Sequence, residues 1–254
     1  MIDIHCHILP SLDDGAKDVS ESVAMAREAV KEGIDTIIAT PHHKNGHYNN
    51  NKQTIINEVA KLNEVLQIEQ IPLNILPGQE TRIFGEFLEE EELIHILPLN
   101  QTQYVFVELP SGHVPRYTDR LLFDIQLKGF TPIIVHPERN TEIITNPDLL
   151  YNLVKKGALT QVTASSVAGY FGKKIQKFSS QLIEANLTHF LASDAHNVNN
   201  RTFKMMDALD IVESKFGVDM VYFYTENAEL LIEGKNVMKE IPEKVKVKKF
   251  LGIF

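Results

Sequence analysis

Seven short runs rich in β-branched residues recur along this chain, and an amphipathic stretch of helical period follows each. The first run spans Ile2 to Cys6. The others fall at 34–43, 73–80, 104–110, 131–139, 158–166 and 188–196. Helices are expected at 18–33, 50–67, 84–93, 117–129, 147–157 and 171–186, with closing helices at 202–216 and 226–233. Val19, Val23, Ala26 and Val30 form the expected buried stripe of the first helix, and Ile55, Val59, Leu62 and Leu66 that of the second. Strict strand–helix alternation builds a parallel sheet covered by helices. The expected class is α/β, as a barrel related to the (β/α)8 design but one unit short, filling one domain over residues 1–254. An open doubly wound sheet also fits the alternation. No G-x-G-x-x-G follows the first strand, however, and no phosphate-cradling G-x-x-x-x-G-K-[ST] occurs anywhere.

The first strand carries the chemistry. In MIDIHCHILPSLDDG, Ile2, Ile4 and Cys6 alternate with Asp3, His5 and His7. Period two puts both imidazoles on one face, and a divalent metal is their simplest common partner. Pro10, Asp13, Asp14 and Gly15 then break the strand and bring carboxylates close. Cys6 points to the opposite face and is expected in the core.

In a barrel, functional groups gather where strands end. The later strands end in His42 and His43, Glu80, Glu108, then His136, Glu138 and Arg139, and finally Asp194 and His196. With His5 and His7 of the first strand, six of the ten histidines are in this set. Such clustering points to a metal centre rather than to scattered surface residues. Imidazole and carboxylate without thiolate favour Mn, Fe, Co or Zn. Nine candidate ligands exceed the needs of one ion: His5, His7, Asp14, His42, Glu80, Glu108, His136, Asp194 and His196.

Composition narrows the alternatives. A net charge of −9 argues against general nucleic-acid binding. The charge is uneven: from Lys235 onward six lysines face Glu240 and Glu243. No apolar run approaches the roughly 18 residues of a membrane span, and no secretory leader pattern opens the chain. A single cysteine, Cys6, suits a cytoplasmic location.

The motif set resembles the PHP (polymerase and histidinol phosphatase) phosphoesterases. It comprises H-x-H on strand one, T-P-H-H on strand two, single glutamates on strands three and four, H-P-E-R on strand five and S-D-A-H on strand seven. IDIHCHILPSLDDGA, ATPHH, HPERN and ASDAHN are more closely similar to the bacterial capsule-type protein-tyrosine phosphatases, a manganese-dependent branch tied to capsule and exopolysaccharide synthesis. The similarity runs from Ile2 to about Glu233.

That resemblance implies a distorted (β/α)7 TIM-like barrel, the PHP fold, holding three Mn²⁺ ions, with Co²⁺, Fe²⁺ or Zn²⁺ as substitutes. His5, His7, Glu80 and Asp194 would hold one ion. Glu80, bridging, would hold a second with Glu108 and His136, and Asp14, His42 and His196 the third. Arg139 and Arg201 would bind the substrate phosphate. Three ions bring +6, four carboxylates −4, a bridging hydroxide −1 and two arginines +2, which suits a phosphate dianion and in-line attack by that hydroxide. The implied substrate is phosphotyrosine on a cognate tyrosine kinase, and the implied assembly a homo-oligomer. A cysteine phosphatase is excluded, because Leu12 stands where an arginine six residues after Cys6 would be needed.

Other residues carry lesser expectations. His43 reads equally as support for the site or as a loop residue, and His47, His95, His113 and His189 as surface or capping groups. Tyr48, Tyr117 and Tyr170 would flank an aryl substrate, and Glu138 would orient Arg139. Small-molecule phosphatase, phosphodiesterase and non-catalytic regulatory readings compete on the same fold.

Overall fold

The computed structural model describes residues 1–246. Its strands are β1 (Ile2–Cys6), β2 (Thr36–Ala39), β3 (His42–His43), β4 (Asn74–Pro77), β5 (Glu80–Arg82), β6 (Tyr104–Glu108), β7 (Thr131–Val135), β8 (Leu159–Thr163) and β9 (Phe190–Ala192). Every strand pair is parallel, in two sheets of order β1-β2-β4 and β3-β5-β6-β7-β8-β9. The second and third expected strands are each split. Pro41 lacks an amide proton and interrupts one. Gly78 interrupts the other where a Cβ would lie 2.6 Å from Ile38 Cγ2. Counting each split pair as one stave leaves seven. The ring closes between β9 and β1, where the Asp194 amide donates to His5 O at 2.8 Å and the His7 amide to Ala195 O at 2.9 Å. This is the distorted seven-stave α/β barrel.

The helices on its outside follow local signals. In α1 (Val19–Lys31) the Asp18 side chain accepts the Glu21 amide, and Gly33 stops the helix at φ +74. Its buried stripe is Ser22, Met25, Ala26 and Ala29, so Val19 faces solvent. In α2 (Lys52–Ile68) the buried stripe is the expected one, Ile55, Val59, Leu62 and Leu66. The acidic stretch at 84–93 forms only one helical turn, α3 (Glu90–Leu93), where successive glutamates repel and no side chain caps the start. Then come α4 (Thr118–Leu127), α5 (Thr141–Thr145), α6 (Asp148–Lys155), α7 (Ala164–Ala168), α8 (Lys173–Glu184), α9 (Met205–Phe216) and α10 (Val218–Ile232). Two short helices were not expected. Asn140 caps α5 through the Ile143 amide, and α7 follows β8 directly. The last helix is longer than the expected 226–233, because the apolar VYFY run packs against α9 and the barrel.

The register of β1 shifts between Asp3 and Cys6, and Ile4 and Cys6 lie in different core clusters. Cys6 is fully buried among residues that join strands to helices, as expected of a core thiol. Ile4 packs with Phe106, Ile133 and Phe190, while Ala228 and Leu231 of α10 join the same cluster. The lysine-rich run from Lys235 pairs with Glu233, Asp148 and Glu243. Lys248 and Lys249 of that run lie outside the described residues. No helix among those described is long and apolar enough to cross a membrane.

Candidate metal centre

All eleven expected site residues converge at the end of the barrel where the strands terminate. β1 aims His5 and His7 inward, and a tight turn brings Asp13 and Asp14 back over them. Gly15 makes that turn possible: a Cβ there would sit 2.0 Å from His7 O. His42 and Glu80 open β3 and β5, where they are register partners, and Glu108 ends β6. His136 and Asp194 follow β7 and β9. Both hold left-handed backbones, φ +37 and +53, uncommon for non-glycine residues.

Glu80 is the hub. Its Oε2 lies 3.3 Å from His5 Nε2, 3.2 Å from His7 Nε2 and 2.9 Å from His42 Nδ1, while Oε1 meets His136 Nε2 at 2.8 Å. Asp194 Oδ1 is 3.6 Å from His5 Nε2 and 3.4 Å from His7 Nε2. Asp14 Oδ1 is 3.4 Å from both His42 Nε2 and His196 Nε2. Three groups of ligand atoms fall within reach of a shared ion: His5, His7 and Glu80; His42, Glu80 and Glu108; and His7, Asp14, His42 and His196. The expected groups differ in detail, and Asp194 is not among the atoms grouped with His5, His7 and Glu80. His42 stands with Glu80 and Glu108 where His136 was expected, and His7 joins the Asp14 group.

The donor set fits metal ions. An ion with bonds of about 2.1 Å sets neighbouring ligand atoms roughly 3 Å apart, close to the spacings here. Glu80 Oε2, His42 Nδ1 and His196 Nε2 are buried and make no hydrogen bond among the described residues. The 2.9 Å approach of His42 Nδ1 to Glu80 lacks hydrogen-bond geometry. Buried polar atoms rarely go unpaired without a reason.

Charge tells the same story. Burial disfavours a charged His42 ring, yet Glu80 and Asp14 outweigh it and raise its pKa to about 10. Burial likewise opposes protonation of His7, but Asp13, Asp194 and Glu80 hold its pKa well above the usual value. The carboxylates thus favour positive charge at this end of the barrel. Burial, reinforced by the charge of Glu80, pushes Glu108 up to about 7. Burial and nearby cations lower His136 and His196 to about 4 each.

The chain matches the family model for capsular polysaccharide synthesis, CpsB/CapC, over residues 1–233. It is 52% identical to the tyrosine-protein phosphatase YwqE of Bacillus subtilis, covering 100% of both chains. The chain belongs to the CpsB/CapC family. It is also 32% identical to the tyrosine-protein phosphatase CpsB of Streptococcus pneumoniae, over 85% of this chain and 91% of that one. A crystal structure described as one of YwqE and CpsB, unique metal-dependent tyrosine phosphatases, superposes with a TM-score of 0.95 at 53% identity. It covers 97% of this chain and 100% of that one.

In this CpsB/CapC member the groups around the ligands are as specific as the ligands. Asp13 Oδ2 accepts His7 Nδ1 at 2.6 Å, and Gln161 Oε1 accepts His5 Nδ1 at 2.9 Å, so both rings present Nε2 to the site. Arg82 grips Glu108 through Nε and Nη2, each at 2.9 Å. The sequence reading missed all three in these roles. Asp13 stood beside Asp14 in plain view, and Gln161 is the one amide side chain of β8, which reads LTQVT. The Arg82–Glu108 pairing comes from strand register.

Arg139 Nη2 donates to Asp194 Oδ2 at 2.5 Å, and Arg201 Nη2 to Asp194 at 3.3 Å. Both arginines line a cavity of about 290 Å³ together with His42, Glu108, His136 and Asp194. Glu138 does not bond to Arg139, contrary to expectation. It is buried and accepts the Thr163 amide and the Ser166 hydroxyl, pinning its turn to α7. None of Tyr48, Tyr117 or Tyr170 lines the cavity, although Tyr48 lies parallel to the His42 ring. His43 is buried with both ring nitrogens unpaired among the described residues. His189 is buried as well, against expectation, and its Nδ1 accepts the Thr160 amide at 3.2 Å.

Proposed function

We propose that this chain is a metal-dependent protein-tyrosine phosphatase whose metals are three divalent ions, manganese by preference and Co²⁺, Fe²⁺ or Zn²⁺ as substitutes. The observation that carries the reading is the convergence of nine imidazole and carboxylate ligands beneath two arginines, in a chain that matches the CpsB/CapC family along most of its length. His5, His7, Asp14, His42, Glu80, Glu108, His136, Asp194 and His196 would hold the ions. Divalent ions supply positive charge and activate water for attack on phosphorus.

The protein's own groups do the rest. Arg139 and Arg201 present N–H donors to the cavity, and the guanidinium fork matches two phosphate oxygens. Asp13 and Gln161 hold His7 and His5 in the tautomer that leaves Nε2 free. Water is the nucleophile, and no phosphoenzyme forms. Cys6 takes no part: it is fully buried, and burial together with Asp3 raises its thiol well above the usual range. The tyrosine leaving group, with a pKa of about 10, needs less help from a general acid than an alkoxide.

The physiological substrate on this reading is a cognate tyrosine kinase in capsule or exopolysaccharide synthesis, met in the cytoplasm by a homo-oligomer of single-domain chains, residues 1–254. Turnover of a phosphotyrosyl peptide, histidinol phosphate and a bis-aryl phosphodiester by one metal-loaded preparation tests the assignment. The peptide should be the best substrate by kcat/KM; faster turnover of either alternative would contradict it.

A further inference from the structure

Arg139 is held from two directions by α7 and the turn that leaves it. Its neighbour Glu138 is buried, and Oε1 accepts the Ser166 hydroxyl of α7 at 2.6 Å. That bond fixes the backbone from which Arg139 projects. Beyond α7 the chain turns through Gly169, Tyr170, Phe171 and Gly172. Both glycines are left-handed, φ +90 and +93. The Tyr170 amide donates to Ser165 O at 2.9 Å and the Gly172 amide to Gly169 O at 3.0 Å, so the turn is defined by its own hydrogen bonds.

The turn sets the Phe171 ring centroid 5.5 Å from the Arg139 guanidinium carbon, within cation–π range. Tyr170 points to the other side, where its hydroxyl donates to Asp207 at 2.9 Å and the Lys204 ammonium lies 4.6 Å from its ring. The turn is therefore tied to α9 as well. Phe171 is not among the cavity walls. A guanidinium drawn over an aromatic ring is restrained in position without using up its N–H donors. One edge then meets Asp194, and the remaining donors serve the cavity.

We propose that Phe171 is a positioning residue for phosphate recognition, acting through the placement of the Arg139 guanidinium. The proposal rests on the reading of Arg139 as a phosphate ligand. The alternative is that Phe171 only packs the start of α8.

The test uses metal-loaded wild type, Phe171→Leu and Phe171→Tyr. Orthovanadate binding is measured by calorimetry and by inhibition, beside kcat and KM for a phosphotyrosyl peptide, metal content and melting temperature. Phe171→Leu should weaken orthovanadate binding and raise KM roughly tenfold, with unchanged metal content, and Phe171→Tyr should restore both. A lowered melting temperature with unchanged orthovanadate affinity and KM would overturn the proposal. So would equal defects in the leucine and tyrosine variants. Calorimetry decides the role of Phe171 even if wild type fails to hydrolyse the peptide, an outcome that would overturn the phosphatase reading instead.

Discussion

Asp13 Oδ2 and His7 Nδ1 lie 2.6 Å apart, and this pairing decides which nitrogen of His7 faces Glu80 and Asp194. The carboxylate is buried, and although burial opposes its ionisation, His7 and the His42 amide keep its pKa below the ordinary value. Asp13→Asn keeps the shape but weakens the ring's orientation and basicity. Outer-shell changes of this kind typically weaken metal binding about 10- to 100-fold. A titration of Mn²⁺ against the metal-free variant should show that loss, with part of the activity regained at saturating metal. Wild-type affinity in the variant would remove Asp13 from the site.

The second prediction concerns stability in acid. His189 is buried, its Nδ1 accepts the Thr160 amide, and burial with the charge of Lys239 lowers its pKa to about 3. The unfolded histidine takes up a proton near pH 6.5, whereas the folded one does not until about pH 3. Its contribution is therefore complete above pH 6.5 and is lost as pH falls from 6.5 toward 3. One such proton contributes up to about 1.4 kcal/mol per pH unit. His189→Asn keeps an acceptor for Thr160 and removes the titration. Urea unfolding between pH 6.5 and 4.5 should show a shallower stability slope in the variant. Identical slopes would mean that His189 does not titrate with unfolding.

The third prediction concerns Arg139, whose Nη2 meets Asp194 at the cavity wall rather than a surface glutamate. Arg139→Ala should lower kcat/KM on the order of a hundredfold or more, by removing charge stabilisation at the transferred phosphoryl group. Arg139→Lys should recover only part, since an ammonium cannot form the fork. Steady-state kinetics with a phosphotyrosyl peptide measures both. Normal kinetics in both variants would assign Arg139 to structure alone.

The barrel and the convergence of the expected site residues were legible because they follow from short-range rules. Period two in β1 placed His5 and His7 on one face, and the strand ends at Glu80, Glu108, His136 and Asp194 fell where a parallel barrel gathers its functional groups. What escaped the sequence depends on register and on three-dimensional turns. Arg82 meets Glu108 only because β5 and β6 pair in that register. Phe171 reaches Arg139 only through a turn framed by two left-handed glycines. Ion grouping is a third case. His42 and His7 each face two neighbouring groups of ligand atoms, and spacing along the chain carries no information about which they join. α7 was hidden because Ala164 to Ala168 continues the small, neutral character of β8.

Catalysis should need the metal ions that these side chains would hold. Buried atoms such as Glu80 Oε2 and His196 Nε2 make no hydrogen bond among the described residues, and an ion would give them one partner. The most direct measurement strips the protein with a chelator, confirms folding by circular dichroism, and follows phosphotyrosyl-peptide hydrolysis as Mn²⁺ is returned. Bound metal is counted in parallel. The account predicts no activity in the stripped protein and full recovery as about three ions bind per chain. Full activity in protein shown to be free of metal would contradict it.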